Sequence, residues 1–153
     1  AADGKGHSVL NYMAWDHDRL DFLLSGYRES LGAGRGKEAR DFFSEFRTGL
    51  LHHIAMEEKV LFPAFEQATG MGPQGPTAVM RQEHLEIQRL LEEMTQRLSD
   101  AQGKEEELEG LHNVLLRVLG EHNAKEEHVV YPLTDRYHLG EDRDVLIRKM
   151  QAV

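Results

Sequence analysis

The chain predicts an all-α protein: an up-down-up-down antiparallel four-helix bundle with a short extra helix at its C-terminal end. Three observations predict it. Four long segments carry apolar residues at helical spacing. Breaks rich in glycine and proline separate them. Alternating β-branched residues, which mark strands, are almost absent. Long helices joined by short links fold most simply as an antiparallel bundle.

The first segment runs from about Ser8 to Ser30, with Leu10, Met13, Leu20 and Leu24 on one stripe. LGAGRG, from Leu31 to Gly36, ends it. The second runs from about Lys37 to Pro63 or a little beyond, with Phe42, Phe46, Leu50 and Val60. Pro63 is expected to mark where this helix yields to a loop, and Pro132 the same on the fourth. TGMGPQGP, from Thr69 to Pro76, follows. The third segment runs from Pro76 to Leu98, with Met80, Ile87, Leu91 and Leu98. Proline suits its first turn, because the missing N–H would be unpaired there. SDAQGK separates it from the fourth, about Glu105 to Tyr131, with Leu108, Leu111, Leu115 and Leu119. The tail EDRDVLIRKM predicts a short helix at about 141–151, packed on one end. One domain then spans 1–153, with the bundle at about 8–136.

Composition excludes several functions. At 153 residues the chain suits one domain with one core. A charged content of 29% beside 40% hydrophobic residues describes a globular chain and not a disordered one. A formal net charge of −9 argues against nucleic acid and anionic membranes as partners, since both need a basic footprint. The absence of cysteine rules out disulfides and thiolate ligands, and fits a reducing, cytoplasmic setting. No apolar run approaches the roughly 20 residues of a membrane span. The opening AADGKGHS lacks the basic and apolar regions of a signal peptide.

Each helical stripe carries a histidine near its middle: His17, His53, His84 and His122. Four residues on, the same face holds Asp21, Glu57, Gln88 and Glu126. Counted from the breaks at either end, the four histidines differ in height by only a few residues, at about 1.5 Å each. An antiparallel bundle therefore brings them to one level. The chain also repeats itself: HIAMEEKVLFP (His53 to Pro63) and HNAKEEHVVYP (His122 to Pro132) share His, three residues, Glu-Glu, one residue, Val, an aliphatic, an aromatic and Pro. His53 therefore aligns with His122, and Glu57 with Glu126.

A lone core histidine is more often hydrogen-bonded than ligating, and a lone H-x3-E pair is usually a surface contact. Four imidazoles and two carboxylates at one level are different. Left unpaired, each buried carboxylate would cost several kcal/mol. Two divalent cations remove that cost, with carboxylates bridging and imidazoles terminating each metal. Nitrogen and oxygen donors without sulfur suit iron, and also manganese or zinc. The other candidates take ordinary roles. His52 and Glu58 lie about 100° round the helix and are expected to be bystanders. His112 turns off the ligand face, His128 is expected to be exposed, and His7 and His138 are expected at the surface. Tyr12 and Trp15 are expected to be packing residues.

These residues resemble the hemerythrin-like (HHE cation-binding) family. The resemblance covers about Ser8 to Pro132. It is carried by the histidine in WDHDRL, the H-x3-E of HHIAMEEKVLFP, the histidine in RQEHLEI and the H-x3-E of EHNAKEEHVVYP. It implies a four-helix bundle around a non-haem di-iron centre: two iron ions with bridging carboxylates and a bridging oxo or hydroxo oxygen. The ligands carried over are His17, His53, Glu57, His84, His122 and Glu126. The ferritin-like E-x-x-H spacing occurs only at Glu109 to His112. Animal oxygen carriers of the family have a second histidine four residues after the one on the third helix. Here that position is Gln88, so the chain looks like bacterial and regulatory relatives with fewer histidines. Donor counting then leaves each iron with about five ligands and an open position, and Asp21 is either a further ligand or a partner of one.

The resemblance implies a protein that binds or reacts with O2, for oxygen binding, storage or sensing. The alternatives are a di-iron enzyme that handles nitric oxide or peroxide or repairs iron centres, and an iron storage or sensing protein. A purely structural bundle ranks last. Fold and ligands do not choose between binding module and enzyme. The implied partner is O2 or a similar small diatomic or peroxide, with neither nucleic acid nor membrane.

Overall fold

The structure, a computed structural model, describes residues 8–100 and 105–153. His7 and most of the third break lie outside these. α1 spans Val9–Gly32, α2 Gly36–Met56, α3 Phe62–Thr69, α4 Pro76–Ser99, α5 Glu105–Lys125, α6 Tyr131–Tyr137 and α7 Glu141–Gln151. α2 runs into α3 through a π-helical turn, Glu57–Leu61, and α5 runs into α6 through another, Glu126–Val130. The four helices of the bundle are thus α1, α2–α3, α4 and α5–α6. α1 pairs with α2, and α4 with α5, as two helical hairpins.

The π-turns correct the expectation that Pro63 and Pro132 end their helices. Proline cannot donate, and its ring clashes with the carbonyl four residues back. A turn widened by one residue relieves both problems. Phe62 N–H bonds to the Glu57 carbonyl, and Tyr131 N–H to that of Glu126, each five residues back. The helices therefore continue to Thr69 and Tyr137. Gly70, with φ of 70°, closes the first of these ends.

α1 begins with its amides well satisfied. Ser8 Oγ accepts from Asn11 N–H at 2.9 Å. Asp135, on α6, accepts from Val9 N–H at 2.8 Å and from Leu10 N–H at 3.0 Å. Small residues let α1 and α2 come close: a Cβ on Gly49 would meet the Leu20 side chain at 2.8 Å.

Two apolar clusters fill the bundle. One gathers residues such as Leu24, Tyr27, Phe46, Ile87, Leu91 and Leu115. The other gathers Met13, Met56, Phe62, Phe65, Met80 and Tyr131, and α7 adds Leu146, Ile147 and Met150 to it. The C-terminal helix therefore seals one end of the bundle, as expected from its sequence. Of the predicted stripe, Leu10, Phe42, Val60, Leu98 and Leu111 are only half-buried, and Phe43 takes the core position beside Phe42. Among the described residues no helix is long and apolar enough to cross a membrane.

The Asp135 cap yields a test. Asp135→Ala strands two amide donors at the start of α1 and is expected to cost about 1–2 kcal/mol. The midpoint of urea unfolding should fall with the slope unchanged; an unchanged midpoint would show that the cap adds nothing.

Candidate metal centre

Between the two apolar clusters lies a polar layer. His17 of α1, His53 of α2, His84 of α4 and His122 of α5 enter it, joined by Glu57 and Glu126, which open the two π-turns. None of the six is more than 3% exposed. The bundle therefore brings together all six residues picked out by spacing.

Their inward atoms form two sets. Nε2 of His84 lies 3.0 Å from Glu57 Oε1, and Nε2 of His122 lies 3.3 Å from Glu126 Oε2. On the other side, Nε2 of His17 lies 3.3 Å from Glu126 Oε1, and Nε2 of His53 lies 3.7 Å from Glu57 Oε2. Ligand atoms of Glu57, His84, His122 and Glu126 all lie within 4.8 Å of one another, as do those of His17, His53 and Glu126. Each set takes both imidazoles from one hairpin and a carboxylate from the other. Both glutamates point one oxygen at each set.

The outward ring nitrogens are all occupied. Nδ1 of His53 bonds to Asp16 Oδ2 at 2.7 Å, and Nδ1 of His84 to Glu58 Oε2 at 2.7 Å. Nδ1 of His122 bonds to Glu83 Oε1 at 2.9 Å, and Nδ1 of His17 to Glu127 Oε2 at 2.6 Å. Each helix of the bundle thus supplies a carboxylate to the histidine of the next, and the fourth returns to the first. A carboxylate only accepts, so each Nδ1 carries a proton and each ring turns its Nε2 inward. Arg19 steadies Asp16 at 2.9 Å, and the Lys125 ammonium also bonds Glu83.

Helical periodicity does not single out these outer carboxylates, and Glu58 departs from its expected role. It is not a bystander but the anchor of His84. A signal was available: an acidic residue adjoins most of the six, as Asp16 beside His17, Glu83 beside His84, and Glu58 and Glu127 beside the two bridging candidates, though none adjoins His53. His52 does stand apart, its Nε2 meeting the Val153 carbonyl at 3.0 Å. Asp21 is exposed and Gln88 half-buried, and neither belongs to either donor set among the described residues. His112 is off the ligand face but fully inside the core, beside Tyr27 at 5.7 Å, and burial pushes its pKa down. His128 is exposed and His138 half-buried. Tyr12 packs against Met56 as expected, its hydroxyl 3.9 Å from the sulfur.

Tyr131 was also missed. Its hydroxyl lies 2.7 Å from Glu57 Oε2 and 2.9 Å from Glu126 Oε1, with His53 Nε2 at 3.2 Å and His17 Nε2 at 3.3 Å. In an α-helix residues five apart diverge by about 140°, so Tyr131 should not share a face with Glu126. The π-turn between them restores the face.

The electrostatics suit cations. Burial, and then the charge of Glu126, push the Glu57 carboxyl well above the usual range. Burial also works against the charge of Glu126, but Glu57, His122 and His17 beside it outweigh that and hold that carboxyl well below the usual range. Burial lowers the pKa of His53 and His84 despite Asp16 and Glu58. It opposes a charge on His17 and His122 too, yet Glu126 and the outer carboxylates raise both. Shared protons thus hold the layer together, and a cation can take their place. Glu126 Oε2 is buried without a hydrogen-bond partner, its position near His122 notwithstanding. The donor set, two imidazoles with carboxylate oxygens and no sulfur, fits a first-row metal ion.

Comparison with protein families agrees with this geometry: the model for the Hemerythrin HHE cation binding domain matches residues 8–134. The chain belongs to the hemerythrin HHE family. Comparison with curated proteins and with solved structures gives no match. The family match runs from the first turn of α1 into α6 and includes every residue of the polar layer.

Outer partners of ligating histidines typically tune metal affinity by about 10–100-fold. Glu58→Ala is expected to weaken metal binding in that range, while His52→Ala leaves it unchanged. Competition against a coloured chelator reads both; equal affinities for the two variants would return Glu58 to a bystander.

Proposed function

We propose that this hemerythrin-family chain holds two iron ions and binds or reacts with O2. His84 and His122 would hold one ion and His17 and His53 the other, with Glu57 and Glu126 reaching both. The observation that carries this reading is the pair of donor sets that share Glu126, with Glu57 in one set and its other oxygen 3.7 Å from His53 of the second, and each histidine fixed from outside by a further carboxylate. Two imidazoles with carboxylate oxygen is a donor set that suits non-haem iron. When bound, such a pair supplies reversible one-electron chemistry toward oxygen species.

The chain's own residues set the terms of that chemistry. The outer carboxylates hold each ring in its orientation and hold the proton on Nδ1. The apolar clusters on either side keep bulk water from the layer. A cavity of about 600 Å³ between α1 and α5 reaches the outer side of His17, lined in part by Asp21, Leu24, His112, Leu119 and Glu127. A layer whose six side chains are at most 3% exposed suits a small partner, O2 or a similar diatomic or peroxide. The net charge of −9 disfavours nucleic acid.

Metal analysis should find two iron ions per chain after anaerobic ferrous loading. A reversible absorption change on exposure to O2 supports oxygen binding; steady consumption of peroxide or nitric oxide would replace it with an enzymatic role. Iron that binds the native state alone also stabilises it. At a free concentration a hundredfold above Kd the gain is about 2.7 kcal/mol for each ion, which raises Tm by roughly 5–10 °C per ion. Equal melting temperatures with and without iron would overturn the buried site.

A further inference from the structure

The two halves of the internal repeat are not equivalent at the layer they build. Where the first half has Phe62, the second has Tyr131. Both follow a π-turn, and both are fully buried. Phe62 stacks on His84, with ring centroids 5.6 Å apart and planes 15° from parallel. Tyr131 instead sends an oxygen into the other set. That oxygen is within 3.3 Å of all four inward atoms there: His17 Nε2, His53 Nε2, Glu126 Oε1 and Glu57 Oε2. The His84 and His122 side has only an aromatic face.

We propose that Tyr131 is a metal ligand at the His17/His53 position, so that the two metal ions have chemically different surroundings. The inference rests on the two-iron reading above. A phenol oxygen placed only to satisfy a buried carboxylate needs one acceptor; this one converges with every donor of one set and no imidazole of the other. The chemistry fits as well. Phenolate is a hard oxygen donor suited to ferric iron, and tyrosine ligates iron elsewhere in biology. On coordination the phenol proton leaves to solvent, and the oxygen lone pair makes the bond to the metal. The consequence is an anionic ligand on one ion, which favours its ferric state over that of its neighbour.

The test uses the full chain loaded with ferric iron. Phenolate bound to ferric iron gives a visible charge-transfer band, and resonance Raman excitation into it enhances tyrosine ring modes. The wild type should show both with two irons bound. Tyr131→Phe should keep two irons and lose the band and the ring modes completely. A second variant leaves Tyr131 in place and removes the other tyrosines: Tyr12→Phe, Tyr27→Phe and Tyr137→Phe together should keep both signals. This variant decides the matter if Tyr131→Phe does not fold. Two bound irons without a phenolate band, a band that persists in Tyr131→Phe, or a band lost from the triple variant would overturn the ligand and leave the two-iron reading standing. Failure of the wild type to bind iron at all would overturn both.

Discussion

The structure depends on how six ionisable side chains survive in a layer closed to water. An unpaired charge there would cost several kcal/mol. The bundle meets that demand from outside as well as inside. Asp16, Glu58, Glu83 and Glu127 each take the outer nitrogen of a histidine on the next helix, and the sequence of pairs closes on itself. One pairing fixes one ring. Four pairings that close a circuit fix the rotation of every helix about its own axis. The inward nitrogens are aimed as a result toward Glu57, Glu126 and Tyr131.

The π-turns serve the same layer. A proline two residues past each apolar Val-aliphatic step would normally kink or end the helix. Here the widened turn absorbs it and shifts the helix phase, so that residues five apart share a face. That shift keeps Phe62 and Tyr131 on the layer that Glu57 and Glu126 already face. The irregularity is thus tied to the position of the site, as such turns often are. The extra lengths α3 and α6 then build the second apolar cluster, onto which α7 closes.

Much of this was legible in the sequence because α-helices rise by a constant amount. Counting from the breaks places His17, His53, His84 and His122 at one height, and the repeated H-x3-E separates Glu57 from Glu58 and His53 from His52. The four-helix order and the closing C-terminal helix follow from the same periodicity. What escaped were features that periodicity cannot encode. Glu58 and Glu83 act across a helix–helix boundary, so their place beside a ligand on their own helix does not say which histidine they meet. Tyr131 reaches the layer only because the helix changes its period just before it. Pro63 and Pro132, taken as stops, are the reason that change exists. His112 shows the converse limit: its phase excludes it from the ligand face, but phase alone did not say that it would be buried.

The arrangement of donors also joins the two hairpins. α1 packs most extensively on α2, and α4 on α5. Each donor set draws its imidazoles from one hairpin and a carboxylate from the other. Glu57 reaches His84, and Glu126 reaches His17. A cation held by either set would therefore join the hairpins directly, and two cations would join them at both edges of the layer. Without cations the same contacts rest on protons shared between Glu57, Glu126 and the rings, which are weaker links and pH-dependent ones. The layer is thus both the candidate metal site and the seam of the bundle. Its stability and its affinity for metal rise and fall together, because the same side chains carry both.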